Sequence, residues 1–261
     1  MSDAGVRLER RGSIALVTLD RPDRMNSLSR ALVARFGELG RELASQNDVR
    51  LVIVTGSGER AFCAGADLKE RAGMSADEVR ALLLAYESEL GWLETIEVPT
   101  LAAINGAALG GGLELALLCD LRVAAEHAVL GLPETSLGVI PGAGGTQRLP
   151  RLLGEARAKE LVLRAARLTA PEALILGLIN QIMPRSEDFL REVMTWAEPI
   201  LSGAPLAIRG ALKAMRGANS RELGAGLQLE RAEYEACLHS EDRLEALAAF
   251  AEKRRPVFKG R

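Results

Sequence analysis

PTLAAINGAALGGGLELALLCDLRVAA, residues 99–125, reads as a strand, a glycine-rich turn, a helix and another strand in succession. PTLAAING (99–106) reads as a continuous apolar run, the pattern of a strand buried on both faces, and LRVAA (121–125) reads as a further strand. Between them, Gly110, Gly111 and Gly112 lead into a helix whose first turn carries Glu114. Strands of this kind joined through a helix belong to an α/β arrangement.

The pattern extends upstream. IALVTL (14–19) and RLVIVTG (50–56) read as strands. Leu28, Leu32, Phe36, Leu39 and Leu43 recur at spacings of four and three, which predicts a helix between them. Ser75 with Glu78 three residues later is a capping-box pattern. The helix it opens has a stripe of Val79, Leu82, Leu83, Tyr86, Leu90 and Leu93, and Pro99 follows its end. Downstream, LINQIM (178–183) is a later strand candidate, and after about residue 185 only helical segments follow. The expected division is an α/β core over 1–195 and a helical region over 196–261. The terminal helices are amphipathic, suited to covering their own core or another subunit.

Composition narrows the function classes. The chain has 261 residues, 48 % hydrophobic and 26 % charged, enough for a large globular core. A net charge of −2 and 3 % aromatics give neither a basic field nor stacking platforms for nucleic acid. Cys63, Cys119 and Cys237 are widely spaced with apolar neighbours, and read as reduced core residues. No apolar run approaches a membrane span, and the N-terminus has no stretch of signal type, so a cytoplasmic protein is expected.

The chemistry centres on two glutamates beside glycine-rich turns, Glu114 in GGGLELALLCD (110–120) and Glu134 in LPETSLGVIPGAGGTQRL (132–149). Their apolar flanks argue against a merely solvated pair. One carboxylate can activate a water and the other deliver a proton, while bare N–H groups hold a carbonyl oxygen as it becomes an enolate. The helix N-terminus is expected to keep Glu114 ionised as a base. Desolvation is expected to raise the pKa of Glu134 and keep it an acid.

Other motifs fail on inspection. GSGERA (56–61) follows a strand and loosely matches a dinucleotide fingerprint, but FCAGADLK follows it where a helix should open. There is no phosphate-binding G-x-x-x-x-G-K-[ST] loop and no G-x-S-x-G elbow. His127 and His239 stand in no known triad spacing, and no cluster has metal-ligand spacing.

Over nearly its full length the chain resembles the enoyl-CoA hydratase/isomerase (crotonase) family. The resemblance is carried by RPDRMNSLS (21–29), AFCAGADLKE (61–70), AAINGAALGGGLELALLCDLRVAA (102–125), GVIPGAGGTQRLPRLLG (138–154) and AFAEKRRPVFKG (249–260). It implies a spiral of ββα units with a C-terminal helical region used in trimerisation, giving a homotrimer or a hexamer made of two trimers. It also implies acyl-CoA thioester substrates and no metal or redox cofactor, coenzyme A being part of the substrate. By the resemblance, the backbone N–H groups of Ala66 and Gly111 form the oxyanion hole. Glu114 helps activate water at the β-carbon, Glu134 exchanges the α-proton, and the N–H of Gly142 helps position the water. Ala64, Asp67, Leu68 and Lys69 line the CoA path, with Phe250 and Lys253 reaching CoA from the C-terminal region and Arg24 near the pyrophosphate. Both glutamates together favour a short-chain enoyl-CoA hydratase of the fatty-acid type. CAGADLKERAGMS resembles the branch containing 3-methylglutaconyl-CoA hydratases of leucine degradation, some of which bind RNA through a lysine-rich first helix. SRALVARFGELGRELASQ has three arginines and no lysine, so no nucleic-acid partner is expected. A non-catalytic CoA- or RNA-binding relative is the alternative of another class.

Overall fold

The computed structural model describes residues 4–184, 186 and 188–261. The chain divides into two compact units, one of residues 1–96 with 100–193, the other of 97–99 with 194–261.

In the first unit, among the described residues, ten strands form two sheets: β1 (Val6–Arg11), β2 (Ile14–Leu19), β3 (Leu51–Gly56), β4 (Ala61–Cys63), β5 (Thr100–Ile104), β6 (Ala107–Leu109), β7 (Leu121–Ala125), β8 (Val129–Gly131), β9 (Arg167–Thr169) and β10 (Gln181–Met183). The larger sheet runs β1-β2-β3-β5-β7-β10 and the smaller β4-β6-β8-β9. Pairing is parallel except at two edges, β1 on β2 and β9 on β8. β3 and β5 are buried at every residue, as their unbroken apolar sequences require.

The helices of this unit are α1 (Arg30–Ala44), α2 (Leu68–Arg71), α3 (Ala76–Leu90), α4 (Trp92–Thr95), α5 (Gly111–Leu118), α6 (Gly145–Leu153), α7 (Glu155–Leu163) and α8 (Ala170–Ile175), and α9 (Phe189–Ser202) begins in it. The order is a repeat. β3, β5 and β7 each join the larger sheet, and the strand after each, β4, β6 or β8, joins the smaller one. Helical structure follows each pair. Each pass adds a neighbour to both sheets in the same direction, which is the spiral of ββα units expected from the sequence. Its consequence for chemistry is that the starts of α2 and α5 follow successive strands of the small sheet and come side by side.

The structure adds strands that the sequence pattern did not show and shortens one expected helix. VRLERR (6–11) forms a full edge strand; its charged outer face masked the pattern and suits an unpaired edge. The three-residue strands AFC, AAL, VLG and RLT escaped because so short a run carries no period. The helix expected through Leu93 ends at Leu90, and the chain restarts at Trp92 after Gly91. Trp92 packs on Phe36 of α1, ring centroids 5.3 Å apart, and its indole N–H donates to the Phe36 carbonyl.

The second unit is helical, with α10 (Pro205–Met215), α11 (Leu223–Leu238) and α12 (Glu241–Glu252) following the end of α9. α10 and α11 meet at Gly210 and Glu233, and Lys213 pairs with Glu233 at 2.5 Å. The tail folds onto α12, where the buried Asp242 accepts from the backbone N–H groups of Lys259 and Gly260. No residue of α11 is buried, and Leu223, Tyr234, Leu244, Leu247 and Phe250 are exposed. Among the described residues no helix is long and apolar enough to cross a membrane.

Candidate active site

The segment after β4 is held by the RPDRMNSLS loop. Asn26 is buried in a left-handed conformation, φ 54°. Its amide donates to the carbonyls of Ser57 and Ala61, and its Oδ1 accepts from the Arg21 N–H. Ala64 donates to the Met25 carbonyl, Leu28 to the Gly65 carbonyl and Asp67 to the Leu28 carbonyl. Ala66 lies inside this weave, and its own N–H donates to no partner among the described residues.

The second glycine turn comes up beside it. Gly110 has φ 55° and ψ −128°, a conformation suited to glycine, and starts α5. A Cβ at Gly112 would sit 2.0 Å from the Cys63 carbonyl oxygen, so bare backbone alone allows α5 to touch β4. A Cβ at Gly111 would lie 3.7 Å from the Ala66 nitrogen. The N–H groups of Ala66 and Gly111 are thus neighbours. Gly111, as the first helical residue, has no intrahelical acceptor for its N–H.

Both glutamates reach this place. Glu114, 2 % exposed, takes two backbone hydrogen bonds on Oε1, from Ala143 at 2.8 Å and Gly145 at 2.7 Å. Gly142, expected to position water, directs its N–H to the same carboxylate. Glu134 opens a 3₁₀ turn (Glu134–Leu137), and a Cβ at Gly110 would lie 2.9 Å from its Oε1. Its Oε2 is buried with no partner among the described residues.

The electrostatics distinguish the two carboxyls. Burial raises the Glu114 carboxyl above its ordinary range, with the Gly145 and Ala143 N–H groups opposing it. α5 is buried at all eight positions, which is the source of that desolvation. Glu134 is pushed up to about 7, mainly by burial, with the charge of Glu114 adding to it. The pair retains an asymmetry: Glu114 is braced by N–H donors that favour its carboxylate, whereas one oxygen of Glu134 has none.

Asp67 caps α2, accepting from the Lys69 and Glu70 N–H groups, and pairs with Arg21 at 2.9 Å. Leu68 and Lys69 are exposed and Ala64 is half-buried. Arg24 is exposed and paired with Asp23. Phe250 and Lys253 belong to the second unit, on α12 and at its left-handed cap. Sequence reasoning missed Arg21, which anchors Asp67, and Arg148, which donates to the Ala143 carbonyl and pairs with Glu94 through two bonds of 2.7 and 2.6 Å. Nothing local marks a residue that works by holding a loop from a distance.

A separate cleft of about 810 Å³ lies at the carboxyl ends of β3, β5 and β7, lined by Arg7, Glu9, Asn105 and His127. Its Arg7 and Arg11 are neutralised by Asp20 and Glu9. Cys63 and Cys119 are buried thiols pushed up to about 12, unsuited to nucleophilic work. Among the described residues no group of three or more His, Cys, Asp or Glu could hold a metal.

Comparison with known proteins places this geometry. A family profile described as enoyl-CoA hydratase/isomerase matches residues 9–261. The chain belongs to the enoyl-CoA hydratase/isomerase family. It is 46 % identical over 253 residues to a Bacillus subtilis (strain 168) protein named as an enoyl-CoA hydratase/isomerase, YngF, covering 95 % of each chain. It is 43 % identical to the human mitochondrial methylglutaconyl-CoA hydratase, over 97 % of this chain and 75 % of that one. The crystal structure of enoyl-CoA hydratase from Bacillus anthracis superposes with a TM-score of 0.95 at 44 % identity, covering 98 % of this chain and 100 % of that one. The family acts on acyl-CoA thioesters, and the fold is the crotonase fold.

Proposed function

We propose that this protein is a hydratase that adds water, in the syn sense, across the 2,3-double bond of a short-chain trans-2-enoyl-CoA. The observation carrying this reading is the meeting of the buried Glu114 and the half-buried Glu134 with two uncommitted backbone N–H groups. The thioester oxygen is received by the Ala66 and Gly111 N–H groups, which need no reorganisation as it gains charge. Glu114, steadied by Ala143 and Gly145, takes a proton from a water at the β-carbon. Glu134, whose carboxyl is pushed up to about 7, holds a proton to deliver at the α-carbon. Water's hydroxyl ends on the β-carbon, a proton ends on the α-carbon, and Glu134 is recharged by the proton Glu114 received. No further cofactor is required by this balance.

The test is loss of enoyl-thioester absorbance when the purified protein meets crotonyl-CoA. Hydration by the parent, lost in Glu114→Gln and in Glu134→Gln, supports the reading. Migration of a 3-enoyl double bond without hydration would assign an isomerase instead. CoA binding without turnover of any enoyl-CoA would point to the binding relative.

A further inference from the structure

Arg148 stands one turn into α6, where Cα–Cβ bonds tilt toward the helix N-terminus. Its side chain therefore reaches back over the turn that opens the helix. Nη1 donates to the Ala143 carbonyl at 3.0 Å. Nε and Nη2 grip the Glu94 carboxylate of α4 at 2.7 and 2.6 Å. Gly144 makes room for this, with φ 98° and no Cβ, which would collide with Nη1. Glu94 is itself anchored, because Trp92 in the same short helix packs on Phe36 and donates to its carbonyl.

The turn that Arg148 grips is the one that holds Glu114. The Ala143 and Gly145 N–H groups both donate to Glu114 Oε1, at 2.8 and 2.7 Å, and Gly142 directs its N–H to the same carboxylate. From α3, Leu83 presses on Gly142, where a Cβ would lie 2.7 Å from Leu83 Cδ2. Ala143 is thus tied through both of its peptide groups, its N–H to Glu114 and its carbonyl to Arg148. A partly exposed ion pair adds little to stability, and the Arg148 and Glu94 side chains are 27 % and 44 % exposed. A planar guanidinium that holds a carboxylate with one edge and a carbonyl with another sets position, which a point charge does not.

We propose that Arg148, clamped by Glu94, is a positioning residue for water addition: it fixes the 142–145 turn so that the N–H groups of that turn stay on Glu114. The proposal rests on the hydratase reading for the role of Glu114 as base. Two effects follow. The braced carboxylate is aimed at one place, and misplacement by about 1 Å can cost about 10²-fold in rate. The guanidinium charge also favours the ionised form of Glu114, against the desolvation that raises it. The other titratable groups coupled to this carboxyl, Glu134 from its 3₁₀ turn and Tyr86 from α3, bring no positive charge.

The experiment is a pH series of crotonyl-CoA hydration by the wild type, Arg148→Met, Arg148→Lys and Glu94→Gln. Butyryl-CoA is titrated calorimetrically as an unreactive ligand. The ionisation of Glu114 is followed by carboxyl carbon-13 NMR, its signal assigned by loss in Glu114→Gln. Arg148→Met should lower kcat by roughly 10- to 100-fold, with KM and butyryl-CoA affinity near the wild type. Its low-pH limb and its Glu114 titration should both move to higher pH, since the charge opposing desolvation is gone. A merely structural loss predicts the reverse: an opened site admits water, relieves the burial that raises Glu114 and moves both to lower pH. Arg148→Lys keeps the charge and loses the fork, so its limb should stay near the wild type while kcat remains reduced. Glu94→Gln should lower kcat without raising KM, and it decides the matter if Arg148→Met does not fold. A Glu114 titration that stays put or falls in Arg148→Met overturns the proposal. So does wild-type kcat in Arg148→Lys or Glu94→Gln. If the wild type hydrates no thioester while the Glu114 titration still rises in Arg148→Met, the hydratase reading fails and the brace stands. If crotonyl-CoA is hydrated and that titration does not rise, the brace fails alone.

Discussion

Two carboxyls with different surroundings make testable demands on single atoms. Replacing Glu134 by Gln removes the proton delivered to the α-carbon, and loss of a proton-transfer group lowers rate by roughly 10²–10⁴-fold. Glu114→Gln should fall comparably, and the double variant by less than the product of the two, because both groups act on one water and one enolate-like state. Stopped assays with crotonyl-CoA measure all three, and a folded single variant with parent-like turnover would refute the division of roles. The pH dependence has a defined sign. With its carboxyl pushed up from 4.5 to about 7, folded Glu134 retains a proton that the unfolded chain has released. Its contribution to stability is therefore full below the unfolded value and is lost as pH rises through about 7. Thermal melts across that window should fall with pH in the parent and fall less in Glu134→Gln. The hydration rate should decline over the same upper limb, since only the protonated acid can deliver.

At the scale of elements, the site exists because α5 can approach β4. Gly112→Ala would drive a methyl to 2.0 Å from the Cys63 carbonyl oxygen, a backbone atom that cannot swing aside. Overpacking of this kind destabilises by roughly 1–3 kcal/mol. Urea denaturation should show that loss, and hydration should drop further than stability, because the Ala66 and Gly111 N–H groups would be prised apart. α3 depends on a different device. Ser75 accepts from the Glu78 N–H while Glu78 accepts from the Ser75 N–H. Ser75→Ala should lower stability by about 1 kcal/mol. It should also loosen the helix that carries Leu83 and Tyr86.

At the scale of the whole molecule, the helical unit leaves apolar side chains that its own core does not cover. α11 buries nothing, and Leu223, Tyr234, Leu244, Leu247 and Phe250 face outward from the helical unit. Closed symmetry would let such faces cover one another, and a trimer or a dimer of trimers is the expected solution state. Light scattering that finds a stable, active monomer would rule this out. RNA should bind weakly, with affinity falling steeply in salt. The α1 arginines are spoken for: Arg30 by Glu70, Arg35 by Glu38 and Glu42, Arg41 by Glu89. Filter binding at physiological salt would expose an error here as a tight, sequence-selective complex.

What the sequence determined by itself was whatever lies in local pattern. Apolar runs marked β3 and β5, because a strand buried on both faces has no polar side to show. The glycines and glutamates of 110–114 and 132–149 were legible as chemistry because bare backbone and carboxylates among apolar neighbours are chemically distinctive. The three-residue strands of the small sheet were not, since their pairing comes from partners distant in the chain. Only the tertiary structure decided that Ala143 and Gly145 brace Glu114, that burial raises its carboxyl, and that one oxygen of Glu134 is buried without a partner among the described residues. Burial and hydrogen-bond satisfaction depend on everything packed around an atom, and that is set by the fold rather than by the residue's neighbours in the chain.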